Sequence, residues 1–189
     1  MTYVAYPEGT LWRSKIDGTE RLQLTFPPMF VFMPRWSPDA TRIAFTGQEQ
    51  PGRASDVYLI SAEGGSPERV LPEGRGTADP TWSPDGNSLL FGRYRSDAPW
   101  DVGTQDLAIL DLRTHANSAV PGSRSFWWAR WSPDGRHIIA VPPAGERLML
   151  FDLKSQEVDR ASENRGGLPG VVSQRGLRLL YRHSAGRRE

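Results

Sequence analysis

Short apolar runs, separated by turn-forming residues, follow one another along the chain. A typical run has about five residues, as in Asp56–Ile60 and His137–Val141, which is the length of a β-strand rather than of a helix. Gly, Pro, Asp and Ser bound these runs and are typical of the turns between strands. The pattern therefore predicts an all-β protein.

One tetrapeptide, Trp-Ser-Pro-Asp, occurs three times at nearly constant spacing. The copies begin at Trp36, Trp82 and Trp131, so they lie 46 and 49 residues apart. Each copy is followed by two apolar runs and a weaker third, and the strand that carries the tryptophan completes a set of four. A four-stranded unit of about 40 to 50 residues is the size of one blade of a β-propeller.

The turn after each tryptophan has the residues that its geometry requires. Proline suits the second position of a type I turn and glycine suits the positive φ that follows, and both occur in Ser83–Gly86 and Ser132–Gly135. The first copy has Ala40 in place of the glycine. We expect an altered or slightly strained turn there, since a left-handed alanine costs about 1 kcal/mol.

The strand positions do not divide into whole blades. We predict one propeller domain over residues 1–189, an arc with whole blades at 26–71, 72–120 and 121–160 and partial blades at 1–25 and 161–189. Incomplete blades leave unpaired backbone edges, which natural sheets normally protect. We therefore expect either a longer propeller of which this chain is a part, or self-association through the terminal blades.

The repeated turn, followed by strands of the Ile-Ala-Phe and Ile-Tyr types, resembles the WD-like repeat of the TolB family over residues 3–181. This resemblance implies a propeller that binds a protein or peptide and is not an enzyme. Similar repeats occur in the propellers of prolyl-oligopeptidase-type peptidases and in bacterial regulators. Two alternatives therefore stay open: a peptidase propeller without its hydrolase domain, and the sensory propeller of a transcriptional regulator.

The sequence contains no pattern typical of catalysis or cofactor binding. It has no Gly-x-Ser-x-Gly, no His-Glu-x-x-His and no glycine-rich phosphate loop, and it has no cysteine and only three histidines. We interpret the aspartates of the repeated turns as turn residues rather than calcium ligands, because the alternating acidic loop of a calcium site is absent. We expect no enzymatic activity, no cofactor and no metal.

The segments just before the repeated tryptophans are the candidate binding site. In propellers these segments approach the central channel or its rim. Alignment on the tryptophans places Met33, Asp79 and Trp128 at equivalent positions. Aromatic and arginine side chains are typical of binding surfaces, although aromatic residues can also fill the gaps between blades. We predict a ligand-binding rim made of Phe32, Arg35, Asp79, Trp127, Trp128 and Arg130.

Charge is distributed unevenly although the net charge is only +1. Residues 160–189 carry seven arginines and two glutamates. Because Arg178 and Arg182 alternate with apolar residues, we favour an amphipathic terminal strand over a nucleic-acid-binding arm. Residues 1–7 do not resemble an export signal, and no run reaches the roughly 18 apolar residues of a membrane span. The chain as given would be cytoplasmic, or periplasmic as part of a longer exported protein.

Overall fold

The computed structural model describes residues 1–50, 52–72, 76–94, 106–141 and 148–160, without the side chains of Trp127 and of 158–160. Within these ranges all regular structure is β-strand, which confirms the all-β prediction. Accordingly, the described part of the chain contains no helix able to cross a membrane. The predicted partial blade at 161–189 and the basic tail lie outside the described residues.

The described residues form fifteen strands in four antiparallel sheets. The first sheet has three strands in the order β1-β2-β3, and each of the others has four strands in consecutive order, as expected for propeller blades. The division of residues 1–189 into whole and partial blades of one domain stays a prediction. The strands are β1 (Thr2–Ala5), β2 (Thr10–Arg13), β3 (Leu22–Gln23), β4 (Phe30–Trp36), β5 (Arg42–Gln48), β6 (Asp56–Ser61), β7 (Glu68–Arg69), β8 (Thr77–Trp82), β9 (Ser88–Arg93), β10 (Asp106–Asp111), β11 (Asn117–Ala119), β12 (Trp127–Trp131), β13 (His137–Val141), β14 (Met149–Asp152) and β15 (Glu157–Arg160).

The core lies between neighbouring sheets, because alternate residues of a strand point to opposite faces. Phe45 is fully buried in a cluster shared with Leu11 of the first sheet. Ala44, the next residue toward the amino end, packs instead in a cluster with Phe91 and Trp82 of the third sheet. Phe45, Phe91 and Trp82 therefore pack between neighbouring sheets, whereas Trp36 and Trp131 are only partly buried.

The three repeated turns share one hydrogen-bond arrangement. In the first, the Ser37 hydroxyl donates to Asp39 Oδ1 (2.6 Å) and accepts from the Arg42 amide (2.9 Å). The Ala40 amide donates to Ser37 O (2.9 Å), and Ala40 has a φ of 57°. The turn is therefore not altered, and the alanine has the left-handed conformation in which strain was expected. The equivalent groups are Ser83, Asp85 and Gly86 in the second turn and Ser132, Asp134 and Gly135 in the third.

A repeated hydroxyl, which the sequence analysis did not identify, joins each sheet to the next. We call the first strand of each four-stranded sheet (β4, β8 and β12) its inner strand. In each case a buried Thr or Ser, at or just before the start of an inner strand, accepts a hydrogen bond from an amide in the next-to-last strand of the preceding sheet. The pairs are Leu11 N to Thr25 Oγ1 (2.8 Å), Val57 N to Thr77 Oγ1 (2.8 Å) and Leu107 N to Ser123 Oγ (3.0 Å). These hydrogen bonds tie the chain at or before the start of each inner strand to the preceding sheet.

Candidate functional site

A β-bulge interrupts the inner strand of each four-stranded sheet at the same place. Met33, Asp79 and Trp128, each three residues before the repeated tryptophan, have φ values of 49°, 54° and 50°. Pro34 and Pro80 follow the first two, and a proline inside a sheet is typically found at a bulge because it has no N–H to donate. The register shifts lie between Phe32 and Arg35, between Ala78 and Thr81, and between Trp127 and Arg130.

At each bulge, one residue has a left-handed backbone conformation, which is unfavourable for any residue with a side chain. A left-handed backbone costs a residue other than glycine roughly 1–2 kcal/mol, and bulges change the direction in which a side chain points. Met33 and Trp128 are 43% and 58% exposed, whereas Asp79 is only 7% exposed. The Asp79 amide donates to the buried Thr46 hydroxyl of β5 (2.9 Å), so a neighbouring sheet supports this bulge.

The structure brings Arg35, Asp79 and Arg130 together from the inner strands of three consecutive sheets. Arg130 Nη1 donates to Asp79 Oδ2 at 2.8 Å. Arg35 Nη2 lies 3.8 Å from Asp79 Oδ1, which is beyond hydrogen-bond distance. That oxygen is buried and accepts no hydrogen bond from the described residues. We call these three side chains the Arg–Asp–Arg cluster.

The cluster has two positive charges for one negative charge. Burial lowers the pKa of Arg35, the nearby charge of Arg130 lowers it further, and Asp79 opposes both effects. Burial raises the pKa of Tyr94, the residue directly after β9, and the negative charge of Asp79 raises it further. The two guanidinium side chains are still 40% and 42% exposed. The cluster therefore presents positive charge to solvent beside a buried carboxylate.

Among the other residues of the predicted rim, Phe32 is partly exposed and its ring lies 5.0 Å from that of Phe30. The side chain of Trp127 lies outside the described residues. Thr46 and Tyr94 adjoin Asp79 but were absent from the predicted rim, because neither is near the repeated motif. Within the described ranges no group of three His, Asp or Glu side chains could hold a metal ion. A role in binding for the predicted rim residues stays a prediction.

Two bacterial peptidases are similar to this chain in sequence. Dipeptidyl-peptidase 5 of Porphyromonas gingivalis is 26% identical over 163 residues, which is 79% of this chain and 23% of that protein. The uncharacterized peptidase YuxL of Bacillus subtilis is 42% identical over 57 residues, which is 30% of this chain and 8% of that protein. The chain thus spans less than a quarter of each relative. No protein-family model matches it.

The fold is similar to that of TolB. The crystal structure of TolB from Acinetobacter baumannii superposes with a TM-score of 0.68 and 25% identity, over 86% of this chain and 41% of that one. This agreement and the consecutive four-stranded sheets confirm the propeller fold. The chain is therefore an all-β propeller, similar in structure to TolB and in sequence to two bacterial peptidases.

Proposed function

We propose that this chain is a non-catalytic propeller module, within a longer propeller, that binds a protein or peptide. The proposed binding surface consists of Phe32, Met33, Arg35, Trp128 and Arg130, which we call the inner-strand surface. The observation that supports it most directly is the exposure of Met33 and Trp128 at equivalent left-handed bulges.

Two physical arguments support this surface. Aromatic residues, Met and Arg are enriched in protein interfaces, and Trp and Arg dominate their binding energy. A left-handed backbone in a strand is costly, and such residues cluster at functional sites. Trp128 has this conformation and keeps more than half of its large apolar side chain exposed to water. Contact with a ligand would offset that cost.

Peptide selection tests the proposal. A library of random dodecapeptides displayed on phage is selected against the immobilised chain, and the selected peptides are synthesised and titrated against purified variants. We expect Trp128→Ala to weaken binding by about thirtyfold or more, since truncating a hot-spot residue costs about 2 kcal/mol or more. Ile16→Ala, at an apolar residue 92% exposed between β2 and β3, is the matched control and should leave affinity unchanged. Equal effects of the two variants would reject the inner-strand surface.

A second candidate function is supported by the two peptidase relatives. In this case the chain is the propeller domain of a peptidase, and its bound peptide is a substrate of a hydrolase domain elsewhere in the same protein. The full reading frame discriminates between the candidates, because a Gly-x-Ser-x-Gly elbow following a strand would identify the hydrolase. We expect the 189-residue chain itself to cleave no peptide. Peptide cleavage by the purified chain would contradict both candidates.

A further inference from the structure

We propose that the Arg–Asp–Arg cluster binds a carboxylate of the peptide ligand, with Arg35 and Arg130 as the groups that contact it. This inference rests on the proposed peptide-binding function and adds the chemistry of the ligand. It is supported by the charge of the cluster, by the geometry of the two guanidinium groups and by the apolar side chains on the same strands.

The charge of the cluster is incompletely balanced. Asp79 is close to both arginines, but its one carboxylate cannot neutralise two guanidinium groups. Because Arg130 disfavours the charged form of Arg35, a second anion beside the pair would relieve this repulsion. A single carboxylate restores neutrality, whereas a phosphate dianion would leave the cluster negative. The balance therefore favours a carboxylate.

The arginines also retain hydrogen-bond donors for a ligand. Arg130 directs Nη1 to Asp79 Oδ2 and to its neighbour Ala129 O, and Arg35 directs Nη1 to Pro34 O at 3.2 Å. A guanidinium has five N–H donors in a planar arrangement that matches a carboxylate. Neither Nε is bonded to any of the described residues. Both side chains are exposed enough for a ligand to reach these donors.

The apolar side chains near the Arg–Asp–Arg cluster indicate which kind of ligand residue lies next to the bound carboxylate. Met33 is two residues from Arg35, and Trp128 is two residues from Arg130; both side chains are exposed on bulged inner strands. A ligand that places a carboxylate between the arginines would therefore bring its neighbouring side chain near thioether and indole surface. We infer an apolar residue adjacent to the carboxylate, which is either the carboxyl terminus or the side chain of Asp or Glu.

Four short peptides test the inference on the unmodified chain. Acetyl-Gly-Phe with a free carboxyl terminus is compared with its amide, and acetyl-Phe-Glu-Gly-amide is compared with acetyl-Phe-Gln-Gly-amide. Titrations are followed by the Nε–H signals of Arg35 and Arg130 and the indole N–H signal of Trp128 in nitrogen-15 spectra. We expect at least one carboxylate peptide to bind about tenfold more tightly than its neutral partner, as charge-assisted bonds predict.

Each outcome has a distinct meaning. A preference for acetyl-Gly-Phe identifies a terminal carboxylate, and a preference for the glutamate peptide identifies a side-chain carboxylate. Equal affinity for charged and neutral peptides, with shifts at Trp128, overturns the carboxylate inference and leaves peptide binding standing. Shifts at neither arginine also overturn the inference. Failure of peptide binding itself is detected separately, by the selected dodecapeptides.

Variants of the cluster give an independent test with the preferred peptide. Arg130→Gln should abolish the preference for the carboxylate, while Arg136→Gln, which removes an arginine paired with Asp152, is the matched control. Asp79→Asn should bind the carboxylate about threefold more tightly, because the competing negative charge is removed. Weaker binding by a folded Asp79→Asn variant would overturn the assignment. The double variant Asp79→Asn/Arg130→Gln leaves no buried unpaired charge, and so keeps the test valid if Arg130→Gln does not fold.

Discussion

The left-handed alanine of the first repeated turn offers a measurable test of the blade geometry. Ala40 has a φ of 57°, whereas the glycines at the equivalent positions, Gly86 and Gly135, have φ values of 71° and 70°. The same turn is thus formed by two different residue types in one protein. Exchanging them in both directions isolates the conformational cost of the side chain.

The expected magnitude follows from two opposing effects. A left-handed backbone costs alanine about 1–2 kcal/mol relative to the right-handed form. Glycine loses about 0.5–1 kcal/mol more conformational entropy than alanine on folding. The net expectation is that Ala40→Gly raises the free energy of unfolding by about 0.5–1 kcal/mol, and that Gly86→Ala lowers it by a similar amount.

Steric contacts of the added methyl group do not contribute to the expected change in stability. A Cβ atom added at Gly86 would lie 3.5 Å from Pro38 Cδ, and one added at Gly135 would lie 3.7 Å from Pro84 Cδ. Both distances are ordinary van der Waals contacts, so alanine fits at either position without a clash. The change in stability therefore reports backbone conformation.

Urea unfolding followed by far-ultraviolet circular dichroism measures the change, with Gly135→Ala as the second exchange. The urea midpoint should move while the slope m stays constant, and the melting temperature should shift by about 2–4 °C for each kcal/mol in a chain of this length. A less stable Ala40→Gly variant, or two neutral glycine-to-alanine exchanges, would refute the assignment of strain to these turns.

Three further predictions follow from the core, the inter-sheet hydrogen bonds and the turn aspartates. Trp82→Ala should cost about 3–5 kcal/mol, because its side chain is buried between sheets and its Nε1 donates to Arg35 O (3.1 Å); an unchanged melting temperature would remove Trp82 from the core. Thr77→Val should cost about 1–3 kcal/mol in urea unfolding, because the Val57 amide loses its buried acceptor, while Thr77→Ser retains the hydroxyl and should cost less. Hydrogen bonds from the Ser37 hydroxyl and, to a smaller extent, from the Thr41 amide and hydroxyl lower the pKa of Asp39 from 3.8 to about 2, and hydrogen bonds from Ser83 and Ser132 are the largest causes that lower the pKa values of Asp85 and Asp134. A lowered folded-state pKa adds stability that is present above about pH 4 and is lost as the pH falls through the folded-state pKa. The urea concentration at the unfolding midpoint should therefore decrease as the pH is lowered from about 4 to about 2. Asp39→Asn should reduce this pH dependence.

The sequence by itself determined the blade pattern. The motif at Trp36, Trp82 and Trp131 combines a strand period of two with turn residues of fixed geometry, and both signals are local in the chain. Local signals need no knowledge of distant contacts, so the strand type, the repeated turn and the left-handed Ala40 could all be predicted. The equivalence of Met33, Asp79 and Trp128 could be predicted for the same reason.

Only the tertiary structure decided which side chains meet. Arg35 and Arg130 are 95 residues apart in the sequence, and their approach to Asp79 depends on the rotation between successive sheets. The inter-sheet hydroxyls Thr25 and Thr77 likewise stand 11 and 5 residues before their repeated tryptophans, because the loops differ in length. Burial separates Asp79 from Met33 and Trp128, although the backbone is the same at all three. Such contacts come from packing between sheets, which a repeat within one chain segment does not encode.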